Sequence, residues 1–307
     1  MGRRMRVGVT GASGLIGRGL VEALQDRGDE VVSFVRPGST SATTSSITWD
    51  PSSGILSTSE LDSAGPFDAV VHLAGAGIGE RRWSAARKHE ILGSRVRSTA
   101  TLVASLSQLA NKPFLLSASA VGYYGPRGEE TLDETSPRGG GFLSDVCVAW
   151  ENEATRYAQV GGVVALARTG IVLDRRGGAL AKQLAIFRLG LGGRLGSGRQ
   201  WLSPISLHDE IAALLWILDH RLQGPVNLTG PSPVTNRSFT LALAKALHRP
   251  AFFAVPAIAL SIVLGREGAN ELVLTSQRVL PKVLTESGFK FSNPDIDAEL
   301  ASALGGH

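Results

Sequence analysis

Gly11, Gly14 and Gly17 recur every third residue directly behind an apolar, strand-like run at 6–9, and they open an amphipathic, helix-length segment at 15–26. That arrangement suits a pyrophosphate. A glycine at 11 permits the tight turn out of the strand, one at 14 lets the backbone approach a phosphate, and one at 17 lets helix and strand pack closely, while free N–H groups at the helix start face the anion. The spacing is GxxGxxG rather than GxGxxG, so a glycine-rich turn without a ligand is the alternative. The position after a strand and before a helix favours a dinucleotide site.

The next strand-like run, 31–35, ends in Arg36-Pro37-Gly38, about 20 residues past the glycines, where a site for NAD places Asp or Glu on the ribose 2′-hydroxyl. No carboxylate stands there. Arg36 offers a permanent cation with planar donors, suited to a 2′-phosphate, which points to NADP(H); a solvated loop arginine is the alternative. The strand-like run at 69–73 ends Val70-Val71-His72-Leu73-Ala74-Gly75-Ala76, with small residues as needed where a chain passes under an adenine or ribose. His72 within it reads as a core histidine with satisfied hydrogen bonds rather than as a base. Arg81, Arg82, Arg87 and Lys88 form a basic cluster bracketed by Glu80 and Glu90, which reads as a solvated helix face. Cys147, in a helical stretch with apolar neighbours, reads as an inert core residue rather than a nucleophile.

To hold these residues, strand-like runs at 6–9, 31–35, 69–73, 114–118 and 163–167 alternate with helix-length segments at 15–26, 84–109 and 146–158. Apolar strands separated by helices make βαβ units. The predicted fold class is therefore α/β: a doubly wound parallel sheet with helices on both faces, binding ligands at its carboxyl edge. The predicted nucleotide-binding domain spans 5–172 and takes back about 206–230, including a short strand-like 225–228. Residues 173–205 and 231–307 are expected to form a smaller, mainly helical lobe. The Ser/Thr-rich patch 37–46 reads as a flexible loop. The longest apolar stretch, 251–264, carries Pro256, falls short of the roughly 20 residues that span a bilayer, and reads as a buried helix.

With 43% hydrophobic and 19% charged residues, 37 Gly and 14 Pro in 307 positions, the chain has the composition of a soluble globular protein of one or two domains. Fibrous, disordered and disulfide-rich classes are excluded. A net charge of +4 is too small and too scattered for a nucleic-acid binder. The lone cysteine makes no intrachain disulfide and no thiolate metal site, which points to a reducing, cytoplasmic compartment without a metal. Residues 1–6 run straight into the first strand without the apolar core of a secretory signal, and Arg6 stands where a myristoylation motif wants Ser or Thr. The expected partners are a small-molecule substrate, no nucleic acid and no membrane; a homo-oligomer is compatible with the sequence.

Thr10 to Gly17, Val35-Arg36, His72-Leu73-Ala74-Gly75 and Ser117 to Gly125 together resemble the extended short-chain dehydrogenases/reductases, the NAD(P)-dependent epimerase/dehydratase superfamily. Phe142 to Glu151, Arg168 to Leu173, Arg188 to Gly193, Gly196 to Trp201 and Ser276 to Pro281 are similar to its atypical branch of epimerase family proteins, over essentially the whole chain. The resemblance implies a Rossmann fold. It also implies NADP contacts from the Gly11–Gly17 loop with Ser13, Leu15 and Ile16, from Val35 and Arg36 beside the 2′-phosphate, from Leu73 and Ala74 under the adenosine, from Glu90 and Arg95 on the following helix, and from Val172 behind the sixth strand.

The superfamily's working pair is Tyr and Lys at YxxxK: the phenol transfers a proton while the ammonium lowers its pKa and holds the nicotinamide ribose. Here Tyr123, Tyr124 and Tyr157 are followed four residues later by Arg127, Gly128 and Gly161, and alignment puts Leu143 and Cys147 in the two working positions. The YxxxK pair is absent. Ser119 matches the superfamily's catalytic serine, with Tyr123 or Tyr124 as substitute acids. Beyond Trp201, Ser203 to Asp209 departs from the branch's Trp-Ile-His-like run, and Asp209 reads as a helix cap or a substrate contact. Two functions follow: an NADP-dependent oxidoreductase or nucleotide-sugar-epimerase-like enzyme acting on a small polar substrate, or an NADP(H)-binding sensor or partner-binding protein without turnover. A loop for some other phosphate ligand is the third.

Overall fold

In a computed structural model the described residues are 4–38, 45–51, 53–56 and 58–305. Seven strands form the central sheet: β1 (Arg6–Thr10), β2 (Glu30–Val35), β3 (Ser45–Asp50), β4 (Ala69–His72), β5 (Phe114–Ala120), β6 (Val164–Thr169) and β7 (Gly224–Leu228). They lie parallel in the order β3-β2-β1-β4-β5-β6-β7, and the two-residue Ile55–Leu56 adds an antiparallel edge beside β3. The order reverses between β1 and β4. That switch point opens a crevice beyond the strands' carboxyl ends, the place where open α/β sheets bind ligands.

The longer helices are α1 (Leu15–Asp26), α2 (Ala85–Ser107), α3 (Phe142–Gln159), α4 (Gly178–Arg188), α5 (Leu207–His220), α6 (Asn236–Ala246), α7 (Ala257–Leu264), α8 (Arg266–Leu272) and α9 (Ile296–Leu304). Alternation along each strand sorts side chains to two faces. Val7, Val9, Val71, Leu116 and Ala165 pack with α1 and α5, whereas Val70, Leu115, Val164 and Leu166 pack with α2 and α3. Helix α1 buries Gly17, Leu20, Val21 and Leu24, a spacing that puts one stripe on the sheet. Each such Leu or Val contributes about 1.5–3 kcal/mol of burial.

Leu173, Leu180, Leu184, Phe187, Phe239, Leu243 and Leu300 make a separate hydrophobic cluster. Gly193–Leu195 pairs there with Phe253–Val255. The segment Ile171–Leu173 follows β6 and pairs in parallel with Pro204–Ser206, and its Val172 packs in the same cluster as Leu15 of α1.

Two expectations need correction. Ser45 and Ser46 open strand β3 rather than ending a loop, and β3 buries Ile47 and Trp49 against Phe34 and Phe67; residues 39–44 of that patch lie outside the described residues. Nor is 251–264 a buried helix. It splits into a strand and α7, and α7 buries none of its residues, leaving Ile258 76%, Ile262 70% and Val263 71% exposed. Pro256 ends the strand and caps the helix, and an eight-residue helix that is apolar all round cannot turn every face inward.

Candidate active site

The glycine loop is built by exclusion of side chains. Gly11 has φ of +69°, and a Cβ there would stand 2.8 Å from the Leu73 carbonyl; a Cβ on Gly17 would stand 2.1 Å from Gly11 O. Neither position accepts any residue but glycine. Gly14 donates its N–H to Gly11 O at 2.9 Å and caps α1 with no side chain to bond the helix's first amides. No acidic residue stands in the first turn, so the positive end of the helix faces outward past Ser13, Leu15 and Ile16. Arg18 Nη1 donates to Ser13 O at 2.6 Å and adds a cation beside the loop. A pyrophosphate fits this cradle. At the end of β2, Val35 is half-buried, and Arg36 is exposed without a hydrogen bond or ion pair to another described residue.

Thr10 and His72 tie the two strand ends that flank the crevice. Thr99 spends its hydroxyl proton on Arg95 O at 2.8 Å, so His72 Nε2 donates to Thr99 Oγ1 at 3.0 Å and Nδ1 accepts the Thr10 hydroxyl at 2.8 Å. Thr10 Oγ1 is then free to accept from Leu73 N at 3.1 Å and Ala74 N at 3.2 Å, which fixes the two residues beside Gly11. Burial, with the Arg95 charge, pushes the His72 pKa down to about 3 and keeps the ring neutral. His72 is thus a satisfied core histidine.

Arg95 lies largely buried along Gly75, and its Nη1 donates to Ala76 O at 3.0 Å and Ile91 O at 3.1 Å. Burial lowers its pKa. Glu90 is exposed and holds Arg87 Nη1 at 2.6 Å. Arg87 corrects the expectation of a solvated basic face: it is buried and donates to Gly77 O, so it shapes the 75–80 loop, while Arg81 and Arg82 remain exposed. Val172 is half-buried and packs with the α1–α5 core that includes Leu15.

Behind the crevice lies a buried polar chain. Ser119, 4% exposed, donates to Glu151 Oε1 at 2.6 Å. Arg168 grips the same carboxylate with two hydrogen bonds of 2.8 Å and donates Nη1 to Tyr124 Oη at 3.0 Å. Burial opposes the Arg168 charge, but the Glu151 contacts outweigh it and hold its pKa above the ordinary value. Tyr124, fully buried, spends its proton on Asn227 Oδ1 at 2.8 Å, and burial pushes its pKa up to about 12. That withdraws Tyr124 from the pair of candidate acids. Tyr123 is half-buried, its ring centroid 3.5 Å from Arg168 Cζ, and its hydroxyl bonds no described residue. Leu143 and Cys147 face Gly122, and burial raises Cys147 to about 12. The wall beyond β6 includes Thr169, which donates to Glu210 Oε1 at 2.9 Å. Asp209 is neither cap nor exposed contact: Ser206 caps α5, and the buried Asp209 carboxylate accepts from Ser292 N and Asn293 N at 2.9 Å each.

Glu151 and Arg168 are the residues that sequence reasoning missed. A signal for Arg168 existed, since an arginine inside an apolar strand requires a buried partner. Glu151 stands four residues after Cys147, one turn along the same helix face.

The model of the NAD dependent epimerase/dehydratase family matches residues 7–145, and DUF1731, a domain of unknown function, matches residues 255–303. An epimerase family protein of Mycobacterium bovis, Mb2239, is 44% identical over 97% of this chain and 97% of its own length. The human epimerase family protein SDR39U1 (isoform2), solved with NADPH, superposes with a TM-score of 0.87 and 34% identity, covering 98% of this chain and 99% of that one. The fold extends to a Thermus thermophilus UDP-glucose 4-epimerase solved with NAD, with a TM-score of 0.76 at 22% identity, covering 99% of this chain and all of that one.

Proposed function

The chain belongs to the epimerase family proteins, an atypical short-chain dehydrogenase/reductase branch, and from that premise we propose that it binds NADP(H) and acts as an oxidoreductase or epimerase-like enzyme on a small polar substrate. One observation carries the cofactor assignment: the uncapped start of α1 behind Gly11 and Gly17, with Arg36 where a carboxylate would select NAD. The related human protein solved with NADPH supports it. Bound there, the nicotinamide supplies or accepts hydride.

The chain's own residues orient and protonate. Ser119 gives its proton to Glu151, so its free lone pairs accept a hydrogen bond from a substrate hydroxyl. Tyr123 is the proton donor, its ring stacked 3.5 Å from the Arg168 guanidinium. Leu143 and Cys147 supply neither acid nor cation, and this specific replacement favours a second reading, an NADP(H)-binding sensor without turnover. The buried Cys147 supports a reducing, cytoplasmic setting. Among the described residues no helix is long and apolar enough to cross a membrane.

The test is a side-by-side titration of cofactor-stripped protein with NADPH and NADH, followed by a carbonyl-substrate screen on wild type and Tyr123→Phe. NADPH binding tighter than NADH, with NADPH consumption lost in the variant, supports the enzyme. Tight NADPH binding with no consumption supports the sensor, and binding of neither overturns both.

A further inference from the structure

Helix α7 exposes an apolar surface that nothing in the cofactor cleft uses. Beside it lies a cavity of about 580 Å³, within the roughly 300–1,000 Å³ of small-molecule sites, lined by Ile258, Ile262 and Ser261 from α7 and by Arg82, Arg266 and Asn270 around them. Ile258 is 76% and Ile262 70% exposed. The two arginines come from chain segments far apart in sequence. Gly265, with φ of +79°, turns α7 into α8 and leaves room for Arg82, since a Cβ there would stand 3.1 Å from Arg82 Nε.

Charge decides what this groove can hold. Lys88 takes Glu267 at 2.6 Å, and the Glu271 carboxylate accepts from Phe142 N and Leu143 N at 2.8 and 2.7 Å. The nearest carboxylates on α8 are thereby engaged. Arg82 and Arg266 have no hydrogen bond or ion pair to another described residue. No Asp or Glu occurs between Asp219 and Glu267, so a second copy laid face to face on the same patch would set arginine against arginine. An exposed apolar surface beside two unpaired guanidinium groups is complementary to a molecule with an anionic head and an apolar body.

We propose that the groove between α7 and Arg82 binds a soluble amphiphilic anion, its carboxylate, phosphate or sulfonate on Arg82 and Arg266 and its aliphatic or aryl body on Ile258 and Ile262. It shares no lining residue with the glycine loop. It gives the start of the region matching DUF1731 a binding role.

The probe is 1-anilinonaphthalene-8-sulfonate, titrated into the full-length protein by fluorescence, against the neutral N-phenyl-1-naphthylamine, which keeps the aryl body without the sulfonate. Saturable binding is expected, at least fivefold weaker in each of Arg82→Gln and Arg266→Gln and at least tenfold weaker for the neutral analogue, with dodecanoate displacing the probe. Arg194→Gln, in a different pocket lined by Phe252 and Phe253, leaves binding unchanged. Both arginine variants retain the wild-type Tm because neither side chain bonds the fold. Equal probe affinity in wild type and both variants overturns the proposal. So does equal binding of the neutral analogue. Arginine-dependent sedimentation with phosphatidylglycerol vesicles without saturable probe binding overturns it in favour of a membrane surface, and a dimer that Ile262→Asp dissolves overturns it in favour of a second copy. NADPH titration of the same samples reports the cofactor site independently, because the groove and the glycine loop have no residue in common.

Discussion

Ser119 Oγ donates to Glu151 Oε1 across 2.6 Å, and the acceptor is a carboxylate already clamped by Arg168. The serine at the end of β5 is therefore anchored in the core by its proton and available to a ligand only through its lone pairs. A buried ion pair thus sets the orientation of the residue nearest the expected chemistry.

Breaking that pair on one side leaves a buried, uncompensated charge. Arg168→Leu should cost about 3–5 kcal/mol of unfolding free energy, while Glu151→Leu combined with Arg168→Leu should cost less than either single change. Urea denaturation of the three variants checks this. A double variant as unstable as the sum of the singles would contradict it.

Gly17→Ala puts a methyl 2.1 Å from Gly11 O, a clash only the loop backbone can relieve. A loss of about 1–3 kcal/mol is expected. NADPH affinity should fall more than stability does, because the displaced backbone is the proposed phosphate cradle. Calorimetric titration beside a thermal melt separates the two effects.

Arg36→Ala removes a cation that supports no fold contact. NADPH binding should weaken by about 2 kcal/mol, roughly thirtyfold, on the scale of a charge-assisted hydrogen bond. NADH binding and Tm should not change. Equal weakening of both cofactors would place Arg36 away from the 2′-phosphate.

Glu210 is buried with Oε2 unpartnered, and burial pushes its pKa up to about 8; Glu299, also buried, is pushed to about 8 by burial and by Asp209 and Asp295. The folded state holds these protons more tightly than the unfolded chain does. Their stability is fully present below the ordinary carboxyl pKa and is lost as pH rises through about 8, with a slope of up to about 1.4 kcal/mol per pH unit per group. Glu210→Gln should flatten the decline between pH 5 and 8, measured by urea midpoints. An unchanged slope would show that Glu210 titrates normally.

Cys147 is 4% exposed with its pKa raised to about 12. Iodoacetamide at pH 8 should leave the folded protein unmodified and alkylate it after unfolding in guanidinium, as mass spectrometry would register. Rapid native-state labelling would restore the nucleophile reading.

The glycine loop and the sheet are legible in the sequence because each of these strands is an apolar run and each glycine answers a local requirement of turn or helix start. Strand β3 is not. Its Ser45, Ser46 and Thr48 face outward or the strand edge, so only Ile47 and Trp49 signal burial, too few for a pattern. Arg87 and α7 misled in opposite directions. Composition sends arginine outward and an all-apolar octet inward, yet Arg87 is buried against Gly77 O with the exposed Glu90 as its ion-pair partner, and α7 finds no surface to cover it.

The sequence by itself determined the α/β class, the glycine loop, the cation at the end of β2 and the absence of a YxxxK pair, since these depend on neighbours within a few residues. Only the tertiary structure decided that Ser119 answers to Glu151, that Arg168 lies under Tyr123, and that Tyr124 is committed to Asn227, 103 residues away. Those contacts arise where β5, β6, β7 and α3 converge at the sheet's carboxyl edge. A buried charge takes whatever partner that convergence brings within reach, and local residue preference does not specify the partner.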